Sequence, residues 1–352
     1  MTQKRDIRAF TKSQLQEYFL SVDEPKFRAT QVYEWLWQKG AKSFEDMTNL
    51  SLSLREKLEN EFVINHIRVD EMQRSSDGTI KNAVRLYDGK VVESVLIPTD
   101  KRITACVSSQ VGCSLDCHFC ATGQLKRMRN LNADEIYDQV VAVMNEAENF
   151  FNRPLTNIVF MGMGEPLMNY NNVLDAIEKI TSPEGLNMAP KRITVSTVGL
   201  AKMIKKLADD EVKFNLALSL HSARDVVRDT IMPINLKNPV ADLAEALKYW
   251  YQKTKKRVTY EYVVWQGVND KAEDIAALVK FCNHIPCKVN LIEYNPTDDP
   301  RFVKAPEEVY NQYVRELENA GIVAKIRRSR GKDIDAACGQ LANKNEIAEK
   351  VS

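Results

Sequence analysis

The sequence predicts an α/β protein whose core is a six-stranded partial (β/α) barrel, open on one side, with a small helical domain and a short β meander before it. Three observations predict it. Six strand-like runs alternate with helical patterns through the middle of the chain, the arrangement that a parallel sheet with right-handed crossovers requires. Just ahead of them, Asp77-Gly78 and Asp88-Gly89 each separate two runs of period two, a strong hairpin signal. Three closely spaced cysteines then follow the first barrel strand, at the C-terminal edge where such sheets hold their ligands.

Composition sets the outer limits. At 352 residues the chain accommodates one main domain with smaller additions, and 44% apolar with 28% charged residues is ordinary for an enzyme in water. No apolar stretch is long enough to span a membrane, and the polar start MTQKRDIRAF has no secretory pattern, so a cytoplasmic setting without a membrane partner is expected. In a reducing compartment the seven cysteines are cluster ligands, catalytic groups or core residues rather than a disulfide framework. A net charge of +1 gives no global sign of nucleic acid, so any RNA contact must come from local patches.

Residues 1–62 read as the helical domain, with apolar faces at Leu15/Tyr18/Phe19, Val32/Trp35/Leu36 and Leu54/Leu58/Phe62, and a capping box from Ser53 to Glu56. Trp35 and Trp37 are expected in its core. The meander occupies 63–100. Its last strand carries Glu93 among aliphatic neighbours, and on pattern alone a lone strand carboxylate faces solvent. The barrel spans 101–300, with strands at Ile103–Val107, Asn157–Met161, Arg192–Thr197, Phe214–Leu220, Val258–Val264 and Lys288–Glu293. Helices fill the gaps at Asn132–Glu148, capped by an Asn132/Glu135 box, and at Asn172–Ile180, Leu200–Leu207, Val240–Tyr251 and Ala272–Cys282. The extension 301–352 holds a helix at Glu307–Asn319, a basic strand at Ala324–Arg330 and a small-residue loop around Cys338.

The chemistry centres on Cys113-Ser-Leu-Asp-Cys117-His-Phe-Cys120. Each iron of a 4Fe-4S cube normally takes a thiolate, so a run of three cysteines leaves one iron open to a group that is not protein. Gly112 lets the chain turn tightly beside the cube, and Phe119 is placed to keep water from it. A zinc site is the alternative, with His118 as fourth ligand, although a residue adjacent to Cys117 is poorly placed to complete a tetrahedron. In Met161-Gly-Met-Gly164-Glu165-Pro166, after the second barrel strand, the glycines permit close backbone approach and Glu165 supplies a charge, both suited to an ammonium group. Ser196, Ser219, His221 and Asn295 end successive strands and converge on the barrel mouth, where a nucleoside would sit.

Basic runs occur at Lys126–Arg129, at Lys253–Arg257 and from Lys325 to Lys332. A solvated face is the ordinary reading of each, but the first follows the cysteine loop and the last precedes Cys338, so both are candidates to hold a phosphate backbone. Cys106 and Cys338 stand outside the cysteine cluster; buried structural thiols are the plain reading, as for Cys282 and Cys287, while Cys338, in Ala-Cys-Gly-Gln, lacks bulk around it and is open to a substrate.

The cysteine spacing, with an aromatic residue before the last cysteine, resembles the radical S-adenosylmethionine (radical SAM) enzymes, and the barrel is then a radical SAM barrel. Joined to CVSSQVGC, MGMGEPL, LSLHS, Ile231-Met-Pro-Ile-Asn235, EYNP and DIDAACGQL, it resembles the radical SAM methyltransferases that modify carbon 2 of adenine in ribosomal and transfer RNA. The resemblance covers nearly the whole chain. It implies that Cys113, Cys117 and Cys120 hold a 4Fe-4S cluster and that Gly164, Glu165, Ser196, Ser219, Leu220, His221 and Asn295 hold SAM, two molecules per turnover. It further implies Cys338 as methyl acceptor, Cys106 as its transient disulfide partner, Glu93 as proton acceptor, and an electron-donor protein as partner beside the RNA. Chemistry agrees: adenine C2 lies between two ring nitrogens and is too electron-poor to attack the SAM methyl group, whereas a thiolate accepts it readily. A sister group that methylates adenine C8, and other radical SAM classes, are the rival readings; Pro166 after Gly-Glu and the Val-Glu-Ser stretch favour the C2 group.

Overall fold

The computed structural model describes residues 4–297 and 299–344. The extension expected over 301–352 is therefore described as far as residue 344. Three helices come first: α1 (Lys12–Ser21), α2 (Phe27–Trp37) and α3 (Leu52–Glu61). The cap of α3 is Ser51, which accepts the Leu54 N–H, rather than the expected Ser53; Ser53 already lies in the first helical turn, whereas Ser51 holds the extended backbone that aims its hydroxyl at that turn. Trp37 is buried, whereas Trp35 is half-exposed, donates to Asn49 and lies under Lys39.

One ten-stranded sheet follows. Its strands are β1 (Arg68–Arg74), β2 (Ile80–Arg85), β3 (Val91–Thr99), β4 (Arg102–Cys106), β5 (Asn157–Phe160), β6 (Ile193–Thr197), β7 (Asn215–Ser219), β8 (Val258–Val264), β9 (Cys287–Glu293) and β10 (Val323–Arg327). Their spatial order is their chain order, antiparallel from β1 to β4 and parallel from β4 to β10. Asp77-Gly78 and Asp88-Gly89 make the two hairpin turns, with both glycines at positive φ. The meander is thus continuous with the barrel wall. So is the basic strand: β10 pairs with β9 as a seventh parallel strand, with Ala324 buried and Ile326 packed against the core on its apolar side.

Helices α4 (Ala133–Phe151), α5 (Tyr170–Thr181), α6 (Ala201–Asp209), α7 (Asp225–Ile231), α8 (Val240–Thr254), α9 (Ala272–Cys282) and α10 (Glu307–Asn319) connect the strands. Their buried faces and the strands form a core that reaches into the helical N-terminal region. The Asn132/Glu135 capping box opens α4. Among the described residues no helix is long and apolar enough to cross a membrane.

The sheet does not close on itself. From the end of β10, residues 328–343 cross the gap as a strap. Asp333 accepts from Ser75 Oγ (2.6 Å) and the Ser76 N–H (3.0 Å), and Asp77 accepts the Gly331 N–H (2.9 Å), at the turn joining β1 and β2. One edge of the sheet is thereby tied to the other, with Cys338 carried between them.

Candidate active site

At the C-terminal ends of the parallel strands lies a cleft lined by Cys113, Cys117, Cys120, Gly164, Glu165, Ser196, Ser219, His221, Asn295 and Cys338. Ten of the thirteen residues read from sequence meet there. Leu220 does not line it: its side chain is buried in the main core, and its backbone N–H is spent on the Glu261 carbonyl at 3.0 Å. Cys106 and Glu93 lie behind the wall.

The cysteine loop is shaped by its neighbours. Gly112 has φ +73°, and a Cβ there would stand 2.4 Å from the Lys126 carbonyl, so only glycine turns the chain in this space. Leu115, Met232, Trp265, Ile292, Tyr294 and Phe302 build a separate apolar cluster around the thiols. Phe119 joins it, edge-on to His221 with ring centres 4.8 Å apart and 5.0 Å from Trp265, so it forms an aromatic wall rather than a detached shield. Burial and then the other thiols push the Cys113 thiol up to about 11 and that of Cys117 well above its ordinary value. Such a pocket calls for bound positive charge before the thiolates form. His118 is turned away, its ring Nδ1 2.9 Å from the Thr230 carbonyl. Among the described residues no three His, Cys, Asp or Glu side chains gather on one ion-sized point. A cube that offers each cysteine its own iron needs them on separate corners.

Beside the thiols, Gly164 has φ +92°, and a Cβ there would meet Gln110 Cβ at 2.5 Å, so the backbone lies close against its neighbour. The Glu165 carboxylate is buried and accepts N–H groups from Leu167 (3.1 Å) and Val198 (2.9 Å); burial pushes it up to about 7. Among the described residues no cationic side chain is its hydrogen-bond partner, which leaves its charge to an incoming cation. Ser196 and Ser219 touch, Oγ to Oγ 3.3 Å. His221 accepts the Val263 N–H on Nδ1 (3.1 Å), so its proton sits on Nε2, and burial with Arg228 nearby pushes its pKa down to about 3. Asn295 donates through Nδ2 to the Cys338 carbonyl (3.2 Å), while its buried Oδ1 has no hydrogen-bond partner among the described residues. A buried acceptor on a cleft wall awaits a donor. An aromatic wall, a neutral imidazole donor, a lone amide acceptor and a cation-seeking carboxylate together fit a sulfonium nucleoside with an amino-acid tail.

Cys338 is held by its neighbours: Gly339 carbonyl accepts from Ala121 of the cysteine loop (2.8 Å), and Leu341 carbonyl from Thr122 Oγ1 (2.5 Å). Cys106, ending β4, is buried, and burial followed by Cys338 raises its thiol to about 12. Sequence reasoning missed the groups around these thiols. Arg327, read as part of a phosphate-binding run, points inward; Cys338 foremost reinforces its charge, followed, against the cost of burial, by Glu261 and Cys106, and it stands 3.6 Å from the Glu261 carboxylate. Along a strand Arg327 and Arg328 face opposite sides, and the charge run hid that alternation. Its neighbours are spent too: Arg328 and Lys332 pair with Glu293 at 2.8 and 3.1 Å, and Arg330 donates to the Asp77 carbonyl. In the first run Arg129 is bidentate to Glu135, leaving Lys126 and Arg127 exposed. The motif Ile231–Asn235 also gains a reason: Asn235 Oδ1 accepts from the fully buried Arg228, whose Nε donates to the Leu220 carbonyl.

Glu93 is 1% exposed, against the solvent position that its pattern alone predicts. Lys81, Ala342 and Asn343 satisfy it there.

Comparison with known proteins agrees with this geometry. A family model described as the ribosomal RNA large subunit methyltransferase N-terminal domain matches residues 5–64, and the radical SAM superfamily model matches residues 107–282. The chain is 68% identical to a probable dual-specificity RNA methyltransferase RlmN of Christiangramia forsetii, covering 97% of each chain. It is 42% identical to the dual-specificity RNA methyltransferase RlmN of Geotalea uraniireducens, covering 99% of each. Among solved structures, a radical SAM methyltransferase from Sphaerobacter thermophilus superposes with a TM-score of 0.90 at 38% identity, over 96% of this chain and 99% of that one.

Proposed function

The chain belongs to the RlmN family of dual-specificity RNA methyltransferases in the radical SAM superfamily, and from that premise we propose that it methylates carbon 2 of adenine in large-subunit ribosomal RNA and in transfer RNA, through an S-methylcysteine at Cys338. It is a SAM-dependent RNA methyltransferase, and its family works with a 4Fe-4S cluster and SAM. Cys113, Cys117 and Cys120 would hold the cluster, and Gly164, Glu165, Ser196, Ser219, His221 and Asn295, which line the cleft, would hold SAM; Leu220, whose backbone N–H and carbonyl are both engaged within the protein, supports the SAM wall from behind. When bound, the cluster would supply the single-electron reduction of SAM that hydrogen abstraction from a methyl group requires.

The protein's own residues do the rest. Cys338 accepts a methyl group as a thioether. After the carbon of that group has joined C2 and the adduct has passed its unpaired electron to a one-electron acceptor, Glu93 removes the C2 proton. Cys106 attacks the Cys338 sulfur, the sulfur–carbon bond breaks with its electron pair going to the new methyl group, and a proton completes the product. The disulfide left behind takes two electrons from a cellular reductant, which suits a cytoplasmic setting. Arg327, next to both thiols, keeps positive charge where thiolate forms.

The observation that carries the proposal is a thiol outside the cluster motif, Cys338, on the wall shared with the three cluster cysteines. Nucleoside mass spectrometry tests it, on RNA treated anaerobically with reconstituted protein, reductant and methyl-labelled SAM against synthetic 2-methyl- and 8-methyladenosine. Labelled 2-methyladenosine is expected. Labelled 8-methyladenosine overturns the position, and no methylated adenosine despite SAM cleavage overturns the substrate.

A further inference from the structure

Glu93 lies on the inner face of β3, and its two carboxylate oxygens serve different elements. Oε2 accepts the N–H groups of Ala342 (2.9 Å) and Asn343 (3.1 Å), in the strap just past Cys338. Oε1 lies 3.7 Å from the ammonium of Lys81 on β2; the two side chains are 1% and 6% exposed. Asn343 adds a bond from its side chain to the Val91 carbonyl of the same strand (2.8 Å). The side chain assigned to take a proton is therefore also the one that fastens the segment carrying the methyl acceptor. An oxygen that already accepts two N–H groups has no lone pair left for a third hydrogen.

We infer that Glu93 is a latch as well as a base: it holds the strap while Oε2 is bonded to Ala342 and Asn343, and takes the proton only after those amides let go, with Lys81 as the positioning residue that keeps the carboxylate in place. The inference rests on the assignment of Glu93 as proton acceptor. In the transfer the C2–H bond breaks, its electron pair stays in the ring system, and the proton passes to Oε2. The neutral acid then presents an O–H where two N–H donors had docked, so the strap cannot refasten until that proton leaves to water. Order follows from this: the strap opens, the proton moves, and relatching waits for deprotonation.

Hydrogen exchange on the full, cluster-loaded chain tests the latch, read by mass spectrometry on peptides covering 338–343, with peptides of α5 as internal control. Glu93→Gln keeps the shape and removes the charge, and exchange at Ala342 and Asn343 is expected to rise about tenfold. Lys81→Met moves exchange the same way, and Lys81→Arg restores it, which a loss of packing alone would not predict. Should the buried variants unfold, Asn343→Ala, which leaves Lys81 and Glu93 intact, is expected to accelerate the same amides about fivefold. Wild-type exchange in Glu93→Gln and Asn343→Ala overturns the latch. Accelerated exchange with undiminished methylation in Glu93→Gln instead overturns the assignment of Glu93 as base, and with it the dual role.

Discussion

The helical N-terminal unit and the C-terminal strap both fasten to elements far away in sequence, and they do so with different chemistry. At the front, the buried Trp37 stands edge-on to Tyr137 of α4 with ring centres 5.1 Å apart. Arg8 lies 4.8 Å from the Trp37 ring and is paired with Asp138 of α4 at 2.7 Å. At the back, the strap has no aromatic anchor among its buried residues; Ala336, Ala337 and Leu341 are its small apolar contribution. The remainder is hydrogen bonds to carboxylates and carbonyls. Apolar area is given up all at once, whereas bonds worth about 1 kcal/mol each open one at a time. A part that only has to stay uses the first; the part bearing a sulfur that must be reached uses the second.

The largest expected effect separates chemistry from attachment. Cys338→Ala should lower methylation about a thousandfold or more while iron content stays at the wild-type value, measured by turnover and metal analysis side by side. Normal turnover would remove the strap from the reaction. At the other end, Arg8→Met leaves the part-buried Asp138 without its cationic partner and should cost about 2–3 kcal/mol in a urea titration, with the cluster still loaded.

A third test uses α4 itself, which carries the N-terminal unit and backs the meander. Burial pushes Glu146 from 4.5 up to about 7. A raised carboxylate stabilises the fold fully below pH 4.5 and loses that contribution as pH climbs through 7, up to about 3 kcal/mol. Glu146→Gln should therefore melt higher than the wild type above pH 7 and flatten the pH profile. The smallest effect belongs to a single strap bond: Thr122→Val, which removes the donor to Leu341, should cost about 1 kcal/mol.

Much of the architecture was legible because pattern length resolves it. Val258–Val264, Ala272–Cys282 and Glu307–Asn319 are observed with the limits that their periodicity predicts. The cysteine loop and the strand-end polar groups were legible because the sheet orders them without crossings. What stayed hidden depends on facing and distance. A run of basic residues does not reveal that Arg327 turns inward while Arg328 pairs with Glu293 and Glu307. Nor does a lone carboxylate in a strand reveal that Lys81 and the amides of a segment some 250 positions later await it.

Strands that lie in space as they lie in sequence have a consequence for birth order. Each new strand leaving the ribosome finds its partner already made, so the sheet grows from β1 outward by neighbour addition. The strap comes after the last strand and grips the first hairpin. The cysteine loop is therefore synthesised, and open to iron and sulfide, some two hundred residues before the segment that covers it arrives.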